Sequence, residues 1–333
     1  MADNKGVMIC GEITEGKLAP ITTELLGGGR KLADTLGEGL SAVLIGSGIG
    51  DLATEAIAFG ADKVYVVDDP LLADYRTDSY VAVMEKVVKE VSPNIVLMGQ
   101  TAMGRDFAPR LAFRLDTAAS MDCLDLSIDP DSKLLLQTRS VYGGNAMGTY
   151  ICEGTKPQIA TVRAKAMDPK EKDDSRKGEV VTIDAGLDPS MIRTTVVDKV
   201  KEEVAGIKLE DAEVIVCGGR GMGSAEAFQE LEALAKLLGA AVGATRPPCD
   251  NGWVPAAMQV GLTGKIVSPT LYIAVAVSGA SQHIAGCSGS KNIIAINKDA
   301  DANIFNEARF GVVGDYKKVL PAFTEKVKEL LAG

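Results

Sequence analysis

Two side chains stand out as candidates to oppose negative charge on a bound molecule, Arg246 and His283. Arg246 directly follows an apolar run that predicts a strand, and strand ends in an open α/β sheet face the crevice where ligands bind. Its guanidinium is permanently charged and donates hydrogen bonds in a rigid fork. His283 is the only histidine of the chain, and its imidazole could donate a hydrogen bond to a bound ring. The alternatives are an exposed surface arginine and a structural histidine.

Two glycine-rich turns have the composition of anion sites. The first is Gly46-Ser47-Gly48-Ile49-Gly50, and the second is Gly218-Gly219-Arg220-Gly221-Met222-Gly223-Ser224. Each leads from a predicted strand towards a predicted helix, where unpaired backbone N–H groups favour a phosphate. Arg220 could pair with phosphate oxygens in the second turn. Neither turn completes the G-x-G-x-x-G pattern, so a tight turn without a ligand is the alternative.

Two further segments have the composition of a binding loop. In Met258-Gln259-Val260-Gly261-Leu262-Thr263-Gly264-Lys265, two glycines flank a threonine, and backbone amides and one hydroxyl could approach a planar ligand. In residues 271–297, an apolar strand ends at Ser278-Gly279, and Ser281-Gln282-His283 begin a short helix. Ser278, the 279–282 amides and His283 would then converge at a positive helix end. Loop geometry alone explains the first segment equally well.

The first half of the chain alternates apolar runs with helical patterns. The runs predict strands at 7–10, 41–46, 63–67 and 94–98, and the helical patterns predict helices at 20–36, 51–59, 77–91 and 106–115. Strands without intervening helices follow at 118–126, 133–141, 146–152 and 158–163. The charged stretch 164–178 predicts a solvated loop, with a partner-docking loop as the alternative. Residues 194–201 are strand-like.

The alternation resumes after a polar stretch near residue 204. Strands are predicted at 213–217, 240–244, 271–277, 292–296 and 311–313, with helices at 225–238 and 316–331. We therefore predict two α/β domains, residues 1–203 and 204–333, each a Rossmann-like, doubly wound parallel sheet.

Composition excludes several classes of function. The net charge of −10 and the lack of a basic run argue against a nucleic-acid binder. Six scattered cysteines and one histidine do not make a metal-site pattern, and isolated thiols suggest a reducing compartment. No apolar stretch reaches the length of about 18 residues needed for a membrane span. These features, with no signal-peptide pattern, predict a cytoplasmic protein.

The 271–297 segment resembles the signature of electron-transferring flavoprotein alpha subunits. The resemblance rests on Leu271-Tyr272-Ile273-Ala274, Ser278-Gly279, Gln282-His283, Gly286 and Ala295-Ile296-Asn297. It extends through 218–220, 241–246 and 259–265 to Asp315, and it is more diffuse in the N-terminal half. Relatives often have Ser at Thr245 and Gln at Leu262.

The resemblance implies that the C-terminal domain binds FAD. Arg220 would face the pyrophosphate, Arg246 would lie near flavin N5 and C4, Thr263 would hydrogen-bond N5, and His283 would approach the C2 carbonyl. The arginine and the imidazole would stabilise the negative charge of the reduced ring. Asn297 and Asp315 would serve the adenosine end. The full set of implied FAD contacts is Arg220, Thr245, Arg246, Gln259, Val260, Gly261, Leu262, Thr263, Gly264, Ser278, Gly279, Ala280, Ser281, Gln282, His283, Asn297, Asp315 and Tyr316.

The resemblance also implies partners. An alpha subunit forms a heterodimer with a beta subunit, which carries AMP in many members and a second FAD in some anaerobic ones. The N-terminal domain would form most of that interface, and Gly46–Gly50 would be structural. The heterodimer would shuttle electrons from dehydrogenases to an acceptor, with acyl-CoA or related dehydrogenases as the redox partners.

Three alternatives remain open from the sequence. The first is the alpha subunit of an NADH-dependent complex for flavin-based electron bifurcation. The second is a nicotinamide-dependent dehydrogenase, which would need a complete dinucleotide fingerprint and an acid or base in a cleft. The third is an adenine-nucleotide-binding regulatory module, which would leave residues 258–297 unexplained.

Overall fold

Two compact α/β units make up the described part of the chain. The computed structural model describes residues 4–142, 146–199 and 206–332. One unit consists of residues 4–141 and 147–199, and the other consists largely of residues 206–332. The domain boundary predicted near residue 204 lies outside the described residues.

The first unit contains fifteen elements within the described residues. Its strands are β1 Val7–Gly11, β2 Ile13–Thr14, β3 Lys17–Leu18, β4 Leu40–Gly46, β5 Lys63–Asp68, β6 Ile95–Gly99, β7 Ala119–Ile128, β8 Leu135–Val141, β9 Ala146–Tyr150, β10 Gln158–Val162 and β11 Glu179–Thr182. Its helices are α1 Pro20–Leu36, α2 Leu52–Ala58, α3 Thr77–Val91 and α4 Ala102–Arg114.

Nine of these strands form one sheet in the order β11-β5-β4-β1-β6-β10-β7-β8-β9. The seven strands from β11 to β7 run parallel, whereas β8 pairs antiparallel with β7. Helices α1 and α2 pack on one apolar core of this sheet, and α3 and α4 pack on a second core. Helix α1 shows how the sequence sets such an element. It begins at Pro20, buries Leu25 and Leu26, and ends where Gly37 adopts φ 67°.

The second unit is an all-parallel sheet with the strand order β13-β12-β14-β15-β16. Its strands are β12 Val214–Gly218, β13 Ala241–Ala244, β14 Leu271–Val275, β15 Asn292–Asn297 and β16 Phe310–Val313. Its helices are α5 Phe228–Leu238, α6 Arg246–Asp250, α7 Ser281–Cys287, α8 Ile304–Glu307 and α9 Tyr316–Ala332. The chain reverses its winding direction between β12 and β14, which makes their ends the topological switch point. The predicted α/β class with doubly wound parallel sheets is confirmed.

Several predicted elements differ from the structure, and α4, for example, begins at Ala102 instead of at residue 106. Residues 194–199 form no strand, although their apolar alternation predicted one. Conversely, β11 was not predicted, because this edge strand is mostly exposed and lacks an apolar run. It pairs with β5, and the Glu179 carboxylate lies 2.8 Å from Lys63 Nζ. The charged stretch 164–178 is largely exposed and contains neither a helix nor a strand.

Candidate functional site

A cleft of about 600 Å³ opens at the switch point of the second unit, beyond the ends of β12 and β14. Residues from five separate segments line it. Four of these segments follow β12, β13, β14 and β15, whose carboxyl ends lie at one edge of the parallel sheet, and the fifth is the loop of residues 259–263. The lining residues are Arg220, Gly221, Thr245, Arg246, Pro247, Gln259, Val260, Gly261, Leu262, Thr263, Ala276, Val277, Ser278, Gly279, Ala280, Gln282, His283, Asn297, Asp299 and Ala302.

The turn after β12 packs directly against the turn after β14. A Cβ on Gly219 would lie 2.1 Å from the carbonyl oxygen of Ala276, so only glycine fits there. The Gly219 N–H donates to the Val275 carbonyl at 2.9 Å. Ala276 itself has a φ of 54°, in the left-handed region, which is unfavourable for residues other than glycine. This contact brings Arg220 to the mouth of the cleft, where it is exposed.

Arg246 begins α6 at the end of β13. The Thr245 N–H donates to the Gly218 carbonyl at 3.0 Å, and this bond ties β13's end to the end of β12. The Arg246 side chain is 64% exposed, and its Nε lies 3.1 Å from Asp250 Oδ2 one helical turn later. The cleft therefore has a permanent cation on its wall that is only partly neutralised by an exposed carboxylate.

The loop of residues 259–265 is bonded to the end of β13. The Val260 N–H donates to the Ala244 carbonyl at 2.9 Å, and the Lys265 N–H closes the loop on the Gln259 carbonyl at 2.7 Å. Gln259 Nε2 donates to Thr263 Oγ1 at 2.9 Å, so the hydroxyl of Thr263 keeps its own hydrogen for another acceptor. Leu262 is 49% exposed in this loop.

The imidazole of His283 is buried and has a protein partner at each ring nitrogen. Nδ1 lies 3.0 Å from the Val260 carbonyl oxygen, and Nε2 lies 3.1 Å from the hydroxyl of Tyr272. Burial lowers the pKa of His283, although its hydrogen bond to the Val260 backbone raises it in part. The side chain is neutral near pH 7, and its donation to a flavin C2 carbonyl would require one of these bonds to break. His283 also lines the cleft, and its approach to a flavin C2 carbonyl stays a prediction.

Asn297 is the last residue of β15, and its side-chain amide joins the segment after β14 to the segment after β15. Its Nδ2 donates to the Val277 carbonyl at 2.7 Å, and its Oδ1 accepts from the Asp299 N–H at 3.0 Å. Asn297 therefore lines the cleft while both ends of its amide are bonded to backbone.

Most of the predicted site residues meet in the cleft. Four of them do not line it, namely Gly264, Ser281, Asp315 and Tyr316. A Cβ on Gly264 would lie 2.3 Å from the Gln259 carbonyl oxygen, so this glycine serves the loop's own fold. The buried Tyr316 donates its hydroxyl to the Met222 carbonyl at 2.8 Å, and the exposed Asp315 accepts from the Lys317 N–H at 3.0 Å at the start of α9.

Sequence reasoning missed six lining residues, Gly221, Pro247, Ala276, Val277, Asp299 and Ala302. Five of them lie within two residues of a predicted site residue, and extending each predicted segment by one or two residues would have included them. Ala302 follows β15 in a polar stretch, where no local pattern indicated a cleft.

The first glycine-rich turn binds a carboxylate of its own chain. The N–H groups of Gly48 and Ile49 donate to Asp68 Oδ1 and Oδ2 at 2.7 and 3.0 Å. Asp68 ends β5 and is in register with Gly46 of β4, which places its carboxylate where a phosphate would otherwise sit. The two N–H groups that made this turn a candidate anion site therefore already donate to a carboxylate of the first unit.

Metal-ligating clusters and membrane-spanning helices are both absent from the described ranges 4–142, 146–199 and 206–332. No group of three or more His, Cys, Asp or Glu side chains there could hold a metal ion. No helix in those ranges combines the length and apolar character needed to cross a membrane.

Comparison with known proteins identifies the family of both halves. Residues 7–188 match the electron transfer flavoprotein domain, and residues 208–288 match the electron transfer flavoprotein FAD-binding domain. Three similar relatives are each described as electron transfer flavoprotein subunit alpha. The protein from Thermoanaerobacterium thermosaccharolyticum is 47% identical, covering 99% of this chain and 100% of the relative. That from Megasphaera elsdenii is 47% identical, covering 99% and 98%, and that from Bacillus subtilis is 44% identical, covering 98% of each.

Proposed function

The chain belongs to the electron transfer flavoprotein family as an alpha subunit, and we propose that it holds FAD in the cleft beyond β12 and β14 and passes electrons from dehydrogenases to an acceptor. FAD is the cofactor of this subunit, and a beta subunit is its partner. The observation that carries the proposed site is the convergence of Arg220, Arg246 and the 259–263 loop on one cleft within the region matched by the FAD-binding domain.

The cleft has the size and composition of a cofactor site. Its volume of about 600 Å³ lies within the range of about 300–1,000 Å³ typical of small-molecule sites. Two guanidinium groups suit a ligand with a pyrophosphate and a ring that becomes negative on reduction. Small residues at Gly221, Gly261, Ala276 and Gly279 let backbone approach a large flat ligand closely.

FAD supplies the electron chemistry through its isoalloxazine ring, and the protein supplies binding and electrostatics. Arg246 would hold a fixed positive charge in the cleft and favour the reduced, negative form of the ring. The Thr263 hydroxyl would donate its remaining hydrogen to the cofactor. Leu262 would present an apolar side chain to the cleft and exclude water there. Arg220 would bind the pyrophosphate at the turn after β12.

The two halves of the chain divide these tasks. Residues 204–333 carry FAD, and residues 1–203 form the surface for the beta subunit. The Gly46–Gly50 turn supports this division. Its N–H groups at Gly48 and Ile49 already bind the Asp68 carboxylate, so they are not available to a phosphate. Acyl-CoA or related dehydrogenases are the proposed electron donors. The comparisons do not favour the bifurcating alternative, and a nicotinamide-dependent dehydrogenase does not fit the family.

The test is to purify the chain with its beta subunit and count flavins. We expect flavin absorption bands and one FAD per heterodimer, with reduction by an acyl-CoA dehydrogenase and its substrate. Two FAD per heterodimer together with NADH oxidation would favour bifurcation instead. A heterodimer that binds no flavin would contradict the proposal altogether.

A further inference from the structure

Asp299 is the one acidic residue among the described residues that line the cleft, and it lies in the segment that follows β15. The Asp299 N–H donates to Asn297 Oδ1 at 3.0 Å, and Asp299 Oδ1 accepts from the Asp301 N–H at 3.0 Å. The Ala302 N–H donates to the Asp299 carbonyl at 3.3 Å. These local bonds fix the backbone on both sides of the carboxylate.

The segment that carries Asp299 packs against the turn after β14. A Cβ on Gly279 would lie 2.1 Å from the backbone nitrogen of Ile304, so the two segments touch through their backbones. The Ile304 N–H also donates to the Ser278 carbonyl at 3.2 Å. Asp299 therefore belongs to a wall of the cleft that is fastened to its neighbour, and its carboxylate has a defined place there.

One oxygen of this carboxylate is left for a ligand. Oδ1 is bonded to Asp301, whereas Oδ2 makes no hydrogen bond or ion pair with the residues that the structure describes. A carboxylate accepts hydrogen bonds and donates none, so a hydroxyl or an amine is the ligand group that matches it. A phosphate is repelled by it, since both groups are negative.

The charge of the cleft changes sign from one side to the other. Arg246 follows β13, Arg220 follows β12, and Asp299 follows β15. In the strand order β13-β12-β14-β15, three strand spacings, about 14 Å, separate the ends of β13 and β15. The two cations thus lie on one side of the switch point, and the carboxylate lies on the other.

We propose that Asp299 is a specificity-determining residue for the adenosine end of FAD, and that its Oδ2 accepts from the ribose hydroxyls there. The inference rests on the proposed FAD site, with the ring at Arg246 and the pyrophosphate at Arg220. The groups of FAD follow in the order ring, ribityl chain, pyrophosphate, ribose and adenine, and the strand ends follow in the order β13, β12, β14 and β15. The hydroxyls beyond the pyrophosphate therefore fall on the side of Asp299.

The same carboxylate selects against a phosphorylated ribose. In other dinucleotide sites an acidic residue hydrogen-bonds the ribose 2′-hydroxyl, whereas an arginine accommodates a 2′-phosphate. Here the acid lies on the side of β15, and both arginines that line the cleft lie on the side of β12 and β13. The site therefore suits an adenosine whose ribose hydroxyls are unmodified.

Asp299→Asn is the informative substitution. An asparagine keeps the oxygen that accepts from the Asp301 N–H, but it places an NH2 group where the second carboxylate oxygen lies. The turn should persist while the charge and the free acceptor are lost. We expect the dissociation constant of FAD from the heterodimer to rise about tenfold, the effect of one hydrogen bond to a charged group.

Asp301→Asn is the matched control. It removes an exposed carboxylate two residues farther along the chain, which does not line the cleft, and it leaves the backbone N–H that Asp299 accepts from. FAD affinity should be unchanged in this variant. Equal losses for Asp299→Asn and Asp301→Asn would indicate a general effect of charge and would contradict a specific contact.

A FAD analogue that lacks the 2′- and 3′-hydroxyls of the adenosine ribose completes a double-mutant cycle. The native heterodimer should bind the analogue about tenfold more weakly than FAD. Asp299→Asn should bind the analogue as tightly as the native protein does, because the hydrogen bond is already missing. This equality also shows that the variant is folded. A further loss with the analogue would mean that Asp299 contacts another group, and it would overturn the proposal.

FMN locates the contact along the cofactor, since FMN ends at its phosphate and has no adenosine. The native protein and Asp299→Asn should bind FMN equally, and a loss with FMN would point to the ribityl chain and contradict the proposal. A native heterodimer that binds no FAD would refute the proposed function itself. If the native heterodimer binds FAD and Asp299→Asn binds it equally well, only the role of Asp299 is refuted.

Discussion

A β-carbon placed on Gly286 would lie 2.4 Å from the Cα of Gly261. Helix α7 and the 259–265 loop are thus in backbone contact, at a distance that no side chain at residue 286 allows. The contact lies beside the two hydrogen bonds that join these elements, from Leu262 N–H to Gln282 and from His283 to Val260. One wall of the cleft is therefore held by a close approach as well as by hydrogen bonds.

Gly286→Ala should separate this helix from the loop. The methyl group meets backbone that cannot rotate away, and we expect a loss of about 1–3 kcal/mol in the free energy of unfolding together with weaker FAD retention. Denaturant titration and flavin absorbance after gel filtration measure the two effects. Gly50→Ala is the control, because its β-carbon would meet no atom within 4 Å. Equal behaviour of the two variants would show that the contact does not hold the wall.

Arg246→Ala should lower the midpoint potential of the bound flavin. The substitution removes the cation that opposes negative charge on the reduced ring, and a tenfold loss of that preference corresponds to about 59 mV for one electron. Because Arg246 is exposed and faces Asp250, we expect a shift of this order and not a larger one. Spectroelectrochemical titration measures it. Arg246→Lys keeps the charge and should retain most of the potential, so a drop as large as that of Ala would point to geometry instead of charge.

Glu12→Gln should change how stability depends on pH. Burial raises the pKa of Glu12 from 4.5 to about 7, although the hydroxyl of Thr101, which donates to Glu12 at 2.7 Å, opposes the shift. Between pH 4.5 and 7 the folded chain keeps this proton while the unfolded chain loses it. The contribution of Glu12 is therefore fully present below pH 4.5 and is lost as the pH rises to 7, by about 3 kcal/mol.

The Gln variant cannot ionise at residue 12 and therefore does not lose this stability. As the pH rises from 5 to 8, its free energy of unfolding should increase relative to that of the native chain. Denaturant titrations at several pH values measure the difference. Glu325→Gln on α9 is the control, since that carboxylate is 71% exposed and should give a nearly constant difference. A constant difference for Glu12→Gln as well would mean that the carboxyl is solvated.

Asp122→Asn should destabilise the first unit strongly. Arg163 donates to both carboxylate oxygens of Asp122, at 2.9 and 2.6 Å, and the Arg163 side chain is only 5% exposed. Asparagine tolerates the φ of 63° at this position, so the effect comes from the lost charge and from one lost hydrogen-bond acceptor, not from backbone strain. Leaving a buried guanidinium unpaired costs about 3–5 kcal/mol, measurable by denaturant titration followed by circular dichroism.

The comparison variant is Glu329→Gln, which breaks an exposed ion pair with Lys326 at 2.7 Å. Exposed pairs contribute less than about 1 kcal/mol, so the free energy of unfolding of this variant should be close to that of the native chain. A loss for Asp122→Asn no larger than this would show that the Arg163 guanidinium finds another partner or reaches water.

Predicted site residues lie together in the cleft where local signals coincide with strand ends. Thr245 and Arg246 follow β13, and Ser278 follows β14, so the rule that ligands bind beyond the carboxyl ends of parallel strands placed them in one cleft. The same rule does not reach Tyr316, which begins a helix and turns inwards to the Met222 carbonyl. Residues 194–199 of the strand predicted at 194–201 form none, because apolar residues favour a strand only where a neighbouring strand pairs with it. Residues 200 and 201 lie outside the described range.

The amino-acid sequence alone determined the alternation of strands and helices, the parallel sheets and the segments that line the cleft. These follow from periodicity and turn residues, which act over a few positions of the chain. Only the tertiary structure decided that Asp68 occupies the first glycine turn, that Tyr272 faces His283, and that His283 holds Val260. Each of those contacts joins residues 11 to 23 positions apart through the packing of separate elements, and no local pattern encodes which polar groups will meet when the elements pack.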